Sequence, residues 1–70
     1  MKKATMIFEN KTVEGKLYEN DDGYWYYRIY PIKSRKCVAQ SYVNFKDKDM
    51  AIDRLLDDME LIDKEKANKL

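Results

Sequence analysis

An α+β fold is expected: an antiparallel three- to four-stranded β-meander with one C-terminal α-helix packed on one face. Two observations predict it. Between residues 4 and 45, apolar and polar side chains largely alternate, as in half-buried strands, and clusters of turn-forming residues break the alternation. From Asp47 onward the apolar residues fall three and four apart, the period of an amphipathic helix.

The first strand is expected over roughly 4–9 (Ala-Thr-Met-Ile-Phe-Glu) and the second over roughly 12–19 (Thr-Val-Glu-Gly-Lys-Leu-Tyr-Glu). Asn10-Lys11 suits a two-residue hairpin turn, because Asn tolerates the left-handed region. Such a turn pairs Phe8 with Val13 and Met6 with Gly15. Asn20-Asp21-Asp22-Gly23 is the clearest turn signal in the chain. A three-residue loop at Asn20–Asp22 pairs Leu17 with Trp25, Gly15 with Tyr27 and Val13 with Ile29. It also sets Glu14 against Arg28 as an opposite-charge pair.

The third strand is expected over roughly 24–32, with Pro31 near its end because proline cannot donate to a ladder. Lys33-Ser34-Arg35 then turns into a fourth strand over roughly 36–45. That strand pairs Ile29 with Ala39, Arg28 with Gln40, Tyr26 with Tyr42 and Trp25 with Val43. The helix is expected over roughly 47–65. Asp47 suits its N-cap and Asp49 the positive end of its dipole, and residues beyond 65 should fray. Ala51, Ile52, Leu55, Leu56, Met59 and Ile62 form its apolar stripe. That stripe would meet Phe8, Val13, Leu17, Trp25, Ile29 and Val43, with Cys37 on the core side as a small buried hydrophobe.

Seventy residues make a single domain, 1–70. A chain of this size buries only about 60% of its unfolded surface, so it needs an efficient core or a partner. The net charge of +1 selects no partner by itself, but the charges are unevenly placed. Residues 1–45 carry eight Lys or Arg against five Asp or Glu, whereas residues 46–70 carry six against eight. No apolar run suits an export signal or a membrane span. The lone Cys37 cannot form an intrachain disulfide, which fits a reducing compartment. A cytoplasmic protein without a membrane partner is therefore expected.

There is no histidine, which removes the commonest general base and metal ligand. One cysteine cannot build a zinc site, and the carboxylates lack calcium-loop spacing. No metal, cofactor, catalytic residue or small-molecule substrate is expected, and the chain is not read as an enzyme. The carboxylates Asp47, Asp49, Asp53, Asp57, Asp58, Glu60 and Asp63 read as a solvated helix face. The alternative is an acidic surface that imitates nucleic acid or docks on a basic protein.

The densest signal is Gly23-Tyr24-Trp25-Tyr26-Tyr27-Arg28-Ile29-Tyr30, in which five of eight residues are aromatic. Alternation puts Trp25, Tyr27 and Ile29 on one face and Tyr24, Tyr26, Arg28 and Tyr30 on the other. The first face is core. The second, with Tyr18, Gln40 and Tyr42, with Lys16 beside them and with Lys33, Arg35 and Lys36 at its rim, is the candidate contact surface. Aromatic rings offer stacking platforms for bases, cations neutralise phosphates, and Gln can hydrogen-bond a base edge. Tyrosine is equally a residue of protein interfaces, and cross-strand tyrosine pairs stabilise sheets that bind nothing.

Residues 24–56 resemble the small arm-type DNA-binding domains of tyrosine recombinases, in which a three-stranded sheet precedes one helix. Trp25 and Arg28 match the aromatic strand, and Lys33, Arg35 and Lys36 match the basic turn. Phe45-Lys46-Asp47-Lys48-Asp49-Met50-Ala51, followed by Leu55, matches the junction into the helix. Asn44 stands where that pattern has Gly, and the helix is more acidic. The resemblance implies insertion of the sheet face into a major groove by Tyr26, Arg28 and Gln40. It does not imply recombinase activity.

The function expected from these residues is a small non-enzymatic binding module that contacts nucleic acid through Tyr24, Tyr26, Arg28, Tyr30, Lys33, Arg35, Lys36, Gln40 and Tyr42. The alternative is a protein-binding module of phage or mobile-element type. It would inhibit or adapt a host protein through the same tyrosines or the acidic helix. A homodimer, formed through the aromatic face or by pairing of open strand edges, is a further expectation.

Overall fold

The computed structural model describes residues 3–68. Four antiparallel strands form one open sheet in the order β1-β2-β3-β4, and a C-terminal helix covers one of its faces. The strands are β1 (Met6–Glu9), β2 (Val13–Glu19), β3 (Trp25–Pro31) and β4 (Ala39–Gln40). The helix α1 spans Lys48–Asn68, so it continues beyond the expected end at residue 65. Residues 69–70, at the end of the segment expected to fray, lie outside the described residues.

Both hairpin registers differ from expectation by two residues, and each difference traces to a turn. In β1–β2, Met6 pairs with Leu17 and Phe8 with Gly15. Asn10 closes the turn instead of occupying it. Its Oδ1 accepts from the Thr12 and Val13 amides at 3.0 and 2.9 Å, and its own amide donates to the Val13 carbonyl at 3.0 Å. The Asn side chain mimics a backbone turn and needs no left-handed conformation. In β2–β3, Leu17 pairs with Tyr27 and Gly15 with Ile29. The loop is Asp21-Asp22-Gly23, because Gly23 adopts φ 83° and a three-residue loop uses its glycine at that left-handed position. Lys16, not Glu14, therefore faces Arg28.

A shift of two residues keeps every side chain on its expected face. Val13, Leu17, Tyr27 and Ile29 are buried against Ala51, Leu55 and Met59, with Met6, Phe8, Trp25, Phe45, Ile52 and Ile62 packed around them. Gly15 is where the helix approaches most closely. A Cβ there would lie 2.6 Å from Met59 Sδ and 2.7 Å from Leu55 Cδ1. The room that Gly15 leaves serves these two side chains and not the ring of Tyr27.

Three side-chain bonds tie sheet to helix. Asn10 Nδ2 donates to the Met59 carbonyl at 3.2 Å, and the Thr12 hydroxyl donates to Asp63 Oδ1 at 2.9 Å. The Tyr27 hydroxyl donates to the Asp58 carboxylate. At the N-terminus of α1, Asp47 Oδ1 accepts from the Asp49 amide at 3.0 Å, as an N-cap does. Lys48 Nζ sits 5.6 Å from the centroid of the Trp25 ring.

The expected fourth strand is mostly absent. Ile29 pairs with Ala39 and Arg28 with Gln40 as expected, but β4 is only two residues long. Ser41 Oγ accepts from the Tyr27 amide at 3.2 Å, in place of a backbone carbonyl. The chain then leaves the ladder at Tyr42–Asn44 and returns where Phe45 and Trp25 exchange backbone bonds of 2.7 and 2.8 Å. Phe45 takes the core place expected of Val43, stacking on Tyr27 with centroids 6.3 Å apart, while Val43 is 61% exposed. Cys37 is exposed, not buried. It lies in the turn ahead of β4, where strand alternation does not apply, and its thiol donates to the Ala39 carbonyl at 3.0 Å. Leu56 is exposed because it stands about 100° around the helix from Leu55, outside the stripe that the sheet covers.

Candidate functional site

The face opposite the helix is set by the β2–β3 register. Glu14 pairs with Tyr30, Lys16 with Arg28 and Tyr18 with Tyr26, and all six project away from the core. Ile7 on β1 and Gln40 on β4 extend the central pair into one row across the sheet, Ile7–Lys16–Arg28–Gln40.

Each pair has a distinct geometry. The rings of Tyr18 and Tyr26 are nearly parallel, at 11°, with centroids 5.0 Å apart, a separation within the range of favourable aromatic pairs. Lys16 Nζ lies 5.1 Å from the centroid of the Tyr30 ring and 3.7 Å from Glu14 Oε1. The Tyr30 hydroxyl, acting by hydrogen bonding, holds the Arg28 guanidinium above its ordinary pKa. Burial, then the neighbouring Tyr30, pushes the Tyr18 phenol up, so it remains protonated at neutral pH. Lys16 and Arg28 are like charges set directly opposite each other, an arrangement that costs stability in an antiparallel pair. The Tyr30 ring and Glu14 offset part of that cost for Lys16.

The β3–β4 turn contributes to the same surface. The Ser34 amide donates to the Pro31 carbonyl at 3.0 Å, and Lys33 takes a left-handed φ of 65°. The turn brings Ser34 and Arg35 beside the strand residues. The result is a concavity of about 750 Å³ lined by Lys16, Tyr18, Tyr26, Arg28, Tyr30, Ser34 and Arg35. Among the described residues no carboxylate lines it, although Glu14 touches Lys16 from the side.

Of the residues expected to make contact, Tyr26, Arg28, Tyr30 and Arg35 converge in this concavity. Gln40 is exposed in the same row as Arg28, outside the lining. Lys33 and Lys36 are exposed in the turn, and Tyr24 is half-buried just ahead of β3; none of the three lines the concavity. Tyr42 does not pair with Tyr26. It is fully exposed and borders a smaller hollow of about 240 Å³ with Tyr27, Val43, Phe45, Arg54 and Asp58. Lys16 is central and not peripheral, which the expected register concealed by setting Glu14 against Arg28. Ser34 carried no signal beyond its place in a turn.

Among the described residues no three His, Cys, Asp or Glu side chains cluster so as to hold a metal ion, and no helix is long and apolar enough to cross a membrane. No family model matches this chain, and neither a curated protein nor a solved structure matches it significantly.

Proposed function

We propose that this chain is a small, non-enzymatic nucleic-acid-binding module that contacts its ligand through the outer face of the sheet. The observation that carries the reading is the concavity in which Lys16, Arg28 and Arg35 stand among Tyr18, Tyr26 and Tyr30. Cations supply the sequence-independent attraction to phosphate, and tyrosine rings supply stacking surface. The Lys16–Arg28 opposition, which Tyr30 and Glu14 offset only in part, supports the same reading, since an anion bound between them lowers the remaining cost. A reducing compartment such as the cytoplasm suits the exposed thiol of Cys37.

Fluorescence anisotropy of labelled DNA and RNA, titrated with the full chain across a range of salt, tests the proposal. Trp25 belongs to the inner face and is a poor reporter of the outer one. Binding should be evident at low salt and weaken as salt rises. Absence of binding at low salt contradicts the proposal.

A second reading, a protein-binding module of phage or mobile-element type, draws on a different observation. Tyr42, Val43 and Val38 are exposed beside the short β4, and exposed apolar and aromatic residues grouped together mark protein contacts. Recovery of one specific partner from a host lysate by the wild type, lost in Tyr42→Ala and insensitive to nuclease, favours this reading.

A further inference from the structure

We infer that the ligand of the outer face is a single strand, held by an unpaired base on the tyrosines and its phosphate among Lys16, Arg28 and Arg35; this rests on the nucleic-acid reading above. Three features of the site lead there. First, the surface is a concavity that Ser34 and Arg35 of the β3–β4 turn help to line. A hollow receives a group that protrudes into it, whereas groove readers insert a protruding element into the duplex. A nucleotide splayed from a flexible strand protrudes; a base pair in a stack does not.

Second, the stacking surface is usable only by an unstacked base. Tyr18 and Tyr26 lie ring on ring, and both rings line the hollow. A base extends that stack only if its own faces are free, which is the condition of single-stranded recognition. Third, the positive charge is compact. Three cations meet in one hollow and do not track along a helix axis. That set matches one or two phosphates, far fewer than the roughly 6–10 contacts of a duplex binder with a steep salt slope. Gln40, in the row of Arg28, is placed to meet the edge of a neighbouring base.

The test is competition at low salt between a labelled single strand of about 12 nucleotides and the same sequence closed into a blunt duplex, with the full chain. The single strand should bind at least about tenfold more tightly, by the worth of one stacked base. Its affinity should fall with salt with a shallow logarithmic slope of about −0.7 to −1.4, for one or two phosphates of a single strand. Tyr26→Leu should lower single-strand affinity about tenfold and leave the weak duplex binding unchanged. The wild-type comparison stands whether or not that variant folds. A duplex bound as tightly as the single strand, or more tightly, overturns this inference and leaves the broader reading intact. Failure of both nucleic acids to bind overturns the two together.

Discussion

Lys16 and Arg28 stand directly opposite each other on β2 and β3, two cations in one cross-strand pair at the centre of the outer face. A sheet optimised for stability alone would alternate charge there, as Glu14 opposite Arg28 would have done. Tyr30 and Glu14 offset the opposition only in part, and functional sites are where local rules are most often broken.

Removing one of these charges should separate stability from binding. Arg28→Gln is expected to change stability by no more than about 1 kcal/mol at low salt, because relief of the like-charge opposition is offset by loss of the Tyr30 interaction. The same variant should weaken nucleic-acid binding and flatten its salt dependence by about one contact. Thermal melts and anisotropy on one preparation check both. Clear destabilisation with unaltered binding would make Arg28 a structural residue.

Gly15 should resist any side chain. In Gly15→Ala the new methyl meets Met59 and Leu55 at less than contact distance. Overpacking of this kind costs about 1–3 kcal/mol, moderated by the flexibility of the Met side chain. Urea denaturation measures it. An unchanged midpoint would mean that the helix does not rest on β2 as closely as described.

The bond from Tyr27 to Asp58 gives a pH signature. Burial, and then this hydrogen bond, hold the Tyr27 phenol far above its ordinary pKa of 10.0; Asp58 and Tyr42 reinforce the shift and Arg54 opposes it. The unfolded chain releases the proton first as pH rises past about 10, so the phenol's contribution is full below that pH and declines above it. Tyr27→Phe should cost about 0.5–1.5 kcal/mol at neutral pH. The gap between wild type and variant should shrink as pH rises above about 10. Denaturant midpoints of both proteins across that range would show it. A gap that widens with pH would be inconsistent with the buried, protonated phenol.

Which faces the strands present was legible in the sequence, because alternation of Val13, Leu17, Tyr27 and Ile29 with Lys16, Tyr18, Tyr26 and Arg28 survives any shift by two residues. Register was not legible to the same degree. It depends on whether Asn10 and Gly23 stand inside or at the edge of their turns, and the difference is one of side-chain hydrogen bonding and a single positive φ. The fate of Tyr42 was hidden for a similar reason. Ser41 replaces one ladder carbonyl with its hydroxyl, and the chain leaves the sheet there. Nothing in the alternation of residues 36–45 announces that exchange, so Val43 and Phe45 compete for one core place and Phe45 wins.

Asn10 should prove costly to replace despite standing in a hairpin turn. It organises the Thr12 and Val13 amides and also reaches the Met59 carbonyl on the helix. Asn10→Ala leaves partly buried groups without partners and should cost about 1–3 kcal/mol. Asn10→Asp keeps the turn acceptors but loses the donor to Met59, and should fall between the two. Thermal melts of the three proteins give the order. Equal stability of Asn10→Asp and Asn10→Ala would show that the turn bonds contribute little.

The most direct measurement is amide and tyrosine-ring NMR of the full chain during titration with a short single-stranded oligonucleotide at low salt. Perturbations should concentrate on Lys16, Tyr18, Tyr26, Arg28, Tyr30 and Arg35 and should leave the helix from Ala51 to Met59 unmoved. Shifts centred on Tyr42–Phe45 or on the acidic face of the helix, or no shifts at all, would contradict the assignment of the outer sheet face as the binding surface.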